Sequence, residues 1–564
     1  MTVQSVRSSV ARAAGLIALA TLLARLTGFV RTLVFSGSVG AAGVGDTYQS
    51  VNMLPNVVYE VAAGGVLAAV AVPLVAGQLG RGRAVDADRT ASALLTWAVL
   101  VLAPLTVVLA IGARWVGRAL LGSSASQAEL TLASHMLVLF APQVLLYGVG
   151  IVLTGVLQAH RRFLAAALAP LLSSVVVIGS YLAYAAVAGD RNTPGTVSRG
   201  AVWTLAGGTT LGVVMLSLPL LAPVLRAGVR LRPTLQFPAG TARRAASLAG
   251  AGVLALLAQQ AAVLTTLWVT HHRTAAVGTV NVYTYVQAVY LLPYAVLAVP
   301  VATSAFPALA HAVASDSRSA ATSRGTSPEP TDAGHDATVT LAGSLRGVLL
   351  LTAGAAAVLM AVSRPVGGFF SALDRGRQAG GGAALEALPG TLSAYAPGVV
   401  GFGVAALLTR ALYVRGRPLY AALAVATGWV LSAALPLLAV PEGSTAGATL
   451  GVLGVSSTLG MTVSAVLLTG LVRQAWGRAA LTGSGRTLAA ALVAMAFALA
   501  GGDALATRVL ALVTTGSASG ALLGGALVAL VTAAIYLAVM AVADRRSMVA
   551  IVQRSRQRRS DGPV

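Results

Sequence analysis

The sequence contains no cysteine and no lysine. Without cysteine, disulfides, thiolate metal sites and a cysteine nucleophile are excluded. The adjacent pair His271 and His272 lacks the i, i+4 spacing with which one helix face presents two imidazoles to a metal. We therefore expect no metal site.

Enzyme motifs are also missing. There is no phosphate-binding loop of the Walker A type, no HExxH pair and no nucleophile elbow. No stretch outside the apolar runs is long enough to form a soluble catalytic domain. We therefore expect neither an enzyme nor an ATP-driven pump, and we expect no cofactor.

Charge is scarce and mostly of one sign. Only 10% of the residues are charged and 57% are hydrophobic, with a mean hydropathy of +0.83. All 38 basic residues are arginine, against 16 acidic residues, which gives a net charge of +22. Because the arginines lie mostly in short loops between apolar runs, anionic membrane lipids are the expected partners and nucleic acid is not.

Apolar runs of about 20 residues, long enough to cross a bilayer, predict an all-α integral membrane protein with about 14 transmembrane helices. The predicted spans are residues 13–37, 47–78, 90–112, 130–157, 164–188, 200–224, 245–270, 277–310, 340–362, 390–414, 418–440, 446–472, 486–502 and 519–543. The thirteenth is the weakest of these.

The distribution of arginine predicts the orientation. With a cytoplasmic N-terminus, 26 arginines fall on the inside, nine on the outside and three (Arg25, Arg31 and Arg410) within spans. This asymmetry places both termini in the cytoplasm of a multi-pass protein of the bacterial plasma membrane. The first apolar run is interrupted by arginines and lacks a clear cleavage site, so we interpret it as a span and not a cleaved signal.

An internal repeat divides the chain. Residues Thr154 to Leu168 match Thr409 to Leu423 at a constant offset of 255, and both segments cross a basic turn between two spans. The repeat predicts two pseudo-symmetric six-helix lobes plus two C-terminal helices, with the site at the lobe interface. The predicted parts are an N-lobe (1–224), the start of a C-lobe (225–312), a flexible cytoplasmic linker (313–338), the rest of the C-lobe (339–473), spans 13 and 14 (486–543) and a basic cytoplasmic tail (544–564).

Two arginines interrupt span 1. An arginine at the bilayer centre costs roughly 2.5 to 3.5 kcal/mol unless it faces water or a partner, so Arg25 and Arg31 predict an anion-binding cavity. They lie about 240° apart around a helix and share a face only if the helix bends at Gly28. The alternative is that Arg31 reaches the interface and Arg25 pairs with Glu60.

Spans 2 and 8 are unusually polar and interrupted by proline, which is typical of helices that line a cavity. In both, interhelical hydrogen bonding is the alternative to contact with a substrate. The candidate cavity residues are Asn52, Asn56, Tyr59 and Glu60 in span 2, and Gln287 and Tyr290 in span 8; the candidate kink or gating residues are Gly28, Pro55, Pro293 and Pro300.

Several segments resemble the MurJ (MviN) lipid II flippases of the multidrug/oligosaccharidyl-lipid/polysaccharide exporter superfamily, and the Tyr59-Glu60 variant resembles their actinobacterial branch. The segments are Arg25 with Gly28-Phe29-Val30-Arg31, then Asp46, Leu54-Pro55-Asn56, Gly65 and Val72-Pro73; YVQAVYLLPYAVLAVPVATSAFP in span 8; and LSAYAPGVVGFGVAALLTRALYVRGRP in spans 10 and 11. The resemblance implies a V-shaped bundle with a cationic central cavity in which Arg25 and Arg31 neutralise a pyrophosphate.

The resemblance also implies the function: flipping of an undecaprenyl-pyrophosphate-linked peptidoglycan precursor (lipid II) from the inner to the outer leaflet by alternating access. Departures from the family pattern are Tyr59 and Gln287 or Ala288 where many members carry arginine, and Thr32 in place of a common Asp. The alternatives are a flippase for another polyprenyl-linked glycan, a cation-coupled drug exporter, or a non-transporting membrane scaffold that binds cell-wall synthesis or division proteins.

Overall fold

The computed structural model describes residues 3–61, 68–238, 241–322, 332–374, 381–512, 517–545 and 547–549. Within these ranges the chain is almost entirely helical, and the only β-pairing is an isolated bridge between Thr274 and Ser444. Twelve helices are long and apolar enough to cross a membrane, or 13 if the bent pair Gly382–Tyr395 and Gly398–Val414 is one span. The remaining predicted span, the second, is divided between two helices, and residues 62–67 lie outside the described part.

Ten helices form the first half of the molecule. They are α1 (Val3–Ser38), α2 (Val44–Glu60), α3 (Ala68–Leu79), α4 (Ala84–Ile111), α5 (Ala113–Leu121), α6 (Gln127–Ala159), α7 (Phe163–Ala188), α8 (Arg199–Val202), α9 (Gly208–Ser217) and α10 (Leu221–Leu225).

Ten further helices form the second half, and two complete the chain. The second half contains α11 (Thr241–His272), α12 (Thr279–Pro293), α13 (Val299–Thr322), α14 (Asp332–Ala361), α15 (Ser363–Leu373), α16 (Gly382–Glu386), α17 (Leu388–Tyr395), α18 (Gly398–Val414), α19 (Pro418–Ala439) and α20 (Ala446–Trp476); α21 (Ser484–Leu512) and α22 (Ala518–Ala543) follow. The two C-terminal helices pack on α14.

Buried side chains of both halves share a core at one end of the molecule. One core contains residues from both halves, including Phe35, Tyr48, Tyr285 and Phe370. At the opposite end each half has its own core, one built on α3, α4 and α6 and the other on α13, α14 and α18. We call the shared end, which carries the α1–α2 turn, the closed end. The space between the two halves lies between this closed end and the opposite end of the molecule.

The basic turn of the internal repeat has the same structure in both copies. α6 ends at Ala159 and α7 begins at Phe163, while α18 ends at Val414 and α19 begins at Pro418, the same offset of 255. Arg161 (φ 58°) and Gly416 (φ 68°) occupy equivalent left-handed positions in the two turns. The same hydrogen bond closes each turn, from Arg162 N to Leu157 O (2.8 Å) and from Arg417 N to Leu412 O (3.0 Å).

Helices extend into the predicted linker. α13 continues to Thr322 and α14 begins at Asp332, so only residues 323–331 of the predicted segment 313–338 lie outside the described part. The polar stretch after residue 313 contains several alanines, which favour continuation of an existing helix. Of the predicted basic tail, residues 550–564 and Arg546 also lie outside the described part.

Candidate functional site: the cavity between the two halves

A cavity of about 650 Å³ lies between the halves. α1 and α2 supply one wall, which includes Arg25, Gln49, Asn56 and Glu60; α11, α12, α18, α19 and α20 supply the other. A second cavity of about 430 Å³ is lined mostly by the first half and shares Gln49, Asn56, Glu60 and Thr284 with the first cavity. The space between the halves therefore has two adjoining compartments, each lined by both polar and apolar side chains.

The two arginines of α1 face different compartments. α1 stays helical through Gly28, and the two arginines line different cavities. Arg25 is exposed in the central cavity, whereas half-buried Arg31 lines the second cavity beside Tyr48, Tyr147 and Tyr181. Of the three ion pairs in the described residues, none involves Arg25, Arg31 or Glu60.

A third arginine enters the central cavity from the second half. Arg410, near the end of α18, is half-buried, lines the cavity and donates from Nη1 to the Ala406 carbonyl of its own helix (2.6 Å). Arg25 and Arg410 both lie within electrostatic range of the Tyr294 hydroxyl. The central cavity thus carries one cation from each half, with Glu60 as the carboxylate among the described residues that line it.

The candidate residues of α2 lie along the junction of the two compartments. Asn56 donates to the Asn52 carbonyl (2.9 Å) and accepts from the Tyr147 hydroxyl (3.0 Å), while the Tyr59 and Tyr147 rings lie 4.5 Å apart. The buried Asn52 Oδ1 has no hydrogen-bond partner among the described residues. Pro55 is buried within a helix that continues to Glu60.

The candidate residues of α12 lie on the opposite wall. Gln287 is half-buried beside the Tyr395 side chain, and Tyr290 is 1% exposed. After Pro293 the helix widens into a π-helical turn, Tyr294–Ala298, and Pro300 follows at the start of α13. A π-turn between two prolines accounts for the irregularity predicted for span 8.

The wall of the second half is rich in aromatic side chains. Phe402 is at their centre, with ring centroids 5.9 Å from Tyr290, 5.5 Å from Tyr294 and 5.6 Å from Trp429. All the aromatic residues that line the central cavity come from the second half, and α1 and α2 contribute none. The two walls therefore differ in one respect: both carry charged and polar side chains, but only the wall of the second half carries aromatic rings.

A buried carboxylate links the two halves by hydrogen bonds at the closed end. Asp374, which follows α15, accepts hydrogen bonds from Ser36 Oγ (2.7 Å), the Ala41 amide (3.0 Å) and the Tyr285 hydroxyl (2.9 Å). Since Ser36 and Ala41 belong to the first half and Tyr285 to the second, Asp374 bridges the two.

Three further contacts cross the closed end. Asp46 Oδ1 accepts from the Gly278 amide (3.1 Å), Asn281 Nδ2 donates to the Ala41 carbonyl (2.7 Å), and Ser50 Oγ lies 2.6 Å from His271 Nε2. Gly278 has φ 88°, and an added Cβ would lie 3.1 Å from the Ala41 carbonyl oxygen. A glycine is therefore favoured at this contact between the halves.

Sequence reasoning did not assign Arg410, Asp374, Phe402 or Trp429 to the site. An interrupting charge in span 10 was the available signal for Arg410. Asp374 follows an apolar helix in a loop, and nothing in its local sequence indicates that it is buried. Phe402 and Trp429 lie within apolar runs, where aromatic residues are ordinary packing residues.

The fold and the cavity define a multi-pass helical membrane protein with two halves around a central space. A solved structure described as "Lipid II flippase MurJ, inward closed conformation" is similar, with a TM-score of 0.68 at 15% identity over 93% of this chain and 98% of that one. A multidrug resistance MATE family transporter of the MOP superfamily, inward-facing, has a TM-score of 0.61 at 15% identity over 81% and 96%. At these identities the similarities show the fold alone.

Residues 35–523 match the family model described as lipid II flippase MurJ, so the chain belongs to that family. A probable lipid II flippase MurJ of Synechocystis sp. is 29% identical over 39% of this chain and 41% of its own length. One of Rhizobium meliloti is 26% identical over 52% of this chain and 54% of its own length. The matched stretches thus span about half the length of these curated relatives.

Proposed function

We propose that this protein flips lipid II, an undecaprenyl-pyrophosphate-linked peptidoglycan precursor, from the inner to the outer leaflet of the bacterial plasma membrane. Membership of the MurJ family supports this cargo. The excess of arginine on one side supports cytoplasmic termini. In that orientation the closed end faces outward.

The observation that carries the proposal is the pair Arg25 and Arg410. They project into one cavity from opposite halves, and neither forms an ion pair within the described residues. A pyrophosphate offers oxygens to both, and guanidinium groups bind phosphate through paired, charge-assisted hydrogen bonds. Binding one anion between two cations draws the halves toward each other.

Transport then follows from the arrangement of the cores. The headgroup enters the cavity from the end opposite the closed end while the polyprenyl chain stays in lipid. As the halves close around the pyrophosphate, the contacts at Asp374 and Asp46 give way and the closed end opens. A membrane potential that is negative inside favours outward movement of the anion by about 2.3 kcal/mol per charge per 100 mV.

The charge of the cavity argues against a cation-coupled drug exporter. An exporter of organic cations needs an acidic cavity, whereas here two arginines face Glu60, and Asp46 is engaged at the closed end. A membrane scaffold that binds cell-wall synthesis or division proteins would not need the cavity to change its access. These alternatives, and a flippase for a different polyprenyl-linked glycan, are separated by the experiment that follows.

The test is depletion of the protein in its native host, in a strain without a redundant flippase, followed by determination of the leaflet that holds lipid II. We expect lipid II to accumulate on the cytoplasmic side, with rescue by the wild type and by Arg478→Ala, an exposed arginine outside the cavity. Arg25→Ala and Arg410→Ala should not rescue. An unchanged leaflet distribution after depletion would contradict the proposal and favour another glycan or the scaffold.

A further inference from the structure

Three aromatic side chains of the central cavity are only partly covered by packing. Phe402, Trp429 and Tyr294 are each half-buried, and the exposed part of each lines the cavity. They come from α18, from α19 and from the π-turn, so three elements converge to present rings at one place. Tyr290 and Tyr395 lie behind them, 1% and 3% exposed.

The position of these rings relative to the charges indicates what they contact. Phe402 and Arg410 are eight residues apart on α18, about two helical turns, and both line the cavity. A ligand whose pyrophosphate lies between Arg25 and Arg410 therefore extends its next group along α18 toward Phe402 and Trp429. The amides of Gln259 and Gln287 lie in the same wall.

A sugar suits this surface. The C–H face of a pyranose is apolar and carries slight positive charge, so it packs on the electron-rich face of an aromatic ring, while its hydroxyl and acetamido groups hydrogen-bond to side-chain amides. A few polar groups placed among aromatic side chains are typical of sites for small polar ligands. An organic cation would also suit the rings, but Arg25 and Arg410 oppose it.

We propose that Phe402, Trp429 and Tyr294, with Gln259 and Gln287, form a carbohydrate subsite that binds the sugar next to the pyrophosphate of the cargo. This inference rests on the proposed function. Arg25 and Arg410 bind the pyrophosphate, and the aromatic and amide side chains of the second half bind the sugar.

The repeat sets Arg410 apart from its counterpart in the first half. Arg410 corresponds to Gly155 at the repeat offset, and an added Cβ at Gly155 would lie 2.7 Å from the Ala71 Cβ. Packing against Ala71 therefore leaves no room for an arginine side chain at Gly155. Phe402 corresponds to Tyr147, which lines the second cavity, so a cavity-lining ring is common to both halves and the cation belongs to the second half alone.

The test measures binding of three lipids to the purified full-length chain in nanodiscs. The probes are undecaprenyl pyrophosphate, the same lipid bearing the peptidoglycan disaccharide without peptide, and lipid II. We expect the disaccharide to strengthen binding to the wild type and Trp429→Leu to weaken binding of both glycosylated lipids by a factor of roughly five to ten. Binding of undecaprenyl pyrophosphate should not change.

Two further variants separate recognition from folding. Trp429→Phe keeps a ring and should retain most of the affinity for the disaccharide lipid. Trp203→Leu removes a tryptophan that is 64% exposed and does not line the cavity, and should have no effect. Weakening of all three lipids alike by Trp429→Leu would overturn the subsite and indicate contact with the polyprenyl chain or a structural role.

Failure of the subsite and failure of the proposed function give different results. If the wild type binds all three lipids equally and Arg25→Ala weakens all three, the pyrophosphate site stands and the sugar subsite is wrong. If a loss on Trp429→Leu requires the stem peptide, the wall binds peptide and the sugar subsite is wrong. If the wild type binds none of the lipids, both proposals are overturned.

Discussion

At the scale of single residues, the cavity arginines differ in what surrounds them. Arg25 is exposed and Arg410 rests against its own helix, while Arg31 lies among tyrosines in the adjoining compartment. Arg25 and Arg410 are therefore free to bind an anion in the central cavity. Arg31 lies next to that position and not within it.

Arg410→Ala should weaken binding of undecaprenyl pyrophosphate to the purified chain by roughly 10- to 100-fold, since hydrogen bonds to charged groups contribute about 1.5 to 3 kcal/mol. Arg410→Lys keeps the charge but loses the paired geometry, and should bind with intermediate affinity. Equal affinity of the wild type and Arg410→Ala would show that the second half contributes no cation to the site.

The carboxylate of Asp544 offers a test of electrostatic stabilisation outside the membrane-spanning segments. Burial alone raises the pKa of Asp544, but hydrogen bonds from Thr487, Ser547 and Arg486 outweigh it and lower the pKa from 3.8 to about 2. A carboxyl whose pKa is lower in the folded state stabilises the fold above its unfolded pKa. That contribution is lost as the pH falls from about 4 to about 2.

Asp544→Asn should therefore lower the stability of the detergent-solubilised chain at pH 7. The difference in thermal unfolding between the two chains should shrink as the pH approaches 2, because about half of the wild-type carboxyl groups are then protonated. A difference in melting temperature that stays constant between pH 7 and pH 2 would contradict this assignment of the carboxylate's role.

At the scale of elements, the two repeat turns offer a matched pair. Arg161 has a left-handed φ of 58°, which is unfavourable for a residue with a Cβ, and its equivalent in the second turn is Gly416 at φ 68°. An added Cβ at Gly416 meets nothing within 4 Å, so its cost is conformational alone.

Arg161→Gly should accordingly stabilise the chain and Gly416→Ala should destabilise it, each by roughly 1 kcal/mol. The measurement is thermal unfolding of both single variants and of the double variant. The effects should cancel in the double variant, because the turns lie in different halves and share no contacts. A change of the same sign in both single variants would contradict the equivalence of the turns.

The elements were largely predictable, whereas the site was only partly so. Hydropathy and arginine spacing indicate most spans because burial in lipid requires long apolar helices. Polar residues in spans 2 and 8 indicate two helices that line a cavity, and the structure places them on opposite walls. The roles assigned to Asn52, Asn56, Tyr59 and Glu60 remain predictions.

What the sequence left undetermined depends on long-range packing. Arg25 and Arg31 are close in sequence but lie in separate compartments because α1 continues through Gly28. Arg25 and Arg410 are far apart in sequence but share a cavity. Asp374 becomes important only when α15 packs beside α1 and α12, which no local pattern in the chain encodes.

At the scale of the whole molecule, the proposed transport of lipid II requires the closed end to open. Asp374 joins the halves there, and Val39 lies next to it with no exposed surface. Because the chain has no cysteine, a single introduced cysteine reports on access to this region without a background signal.

In a Val39→Cys background, Asp374→Asn should raise the rate of labelling by a membrane-impermeant maleimide severalfold, because the bridge between the halves is weakened. Asp190→Asn, at an exposed carboxylate in a loop, is the matched control and should not change the rate. A cysteine at exposed Ser124 calibrates full access. A labelling rate at Val39→Cys that Asp374→Asn does not change would show that Asp374 does not hold the closed end shut.

Flipping of labelled lipid II in proteoliposomes that contain only the purified protein tests directly whether this chain itself moves the lipid through the cavity between its halves. We expect movement between leaflets that depends on the wild-type chain, is abolished by Arg25→Ala and Arg410→Ala together, and is retained by Arg478→Ala. Movement at the rate of protein-free vesicles, or movement that the double variant supports as well as the wild type, would contradict transport of lipid II through this cavity.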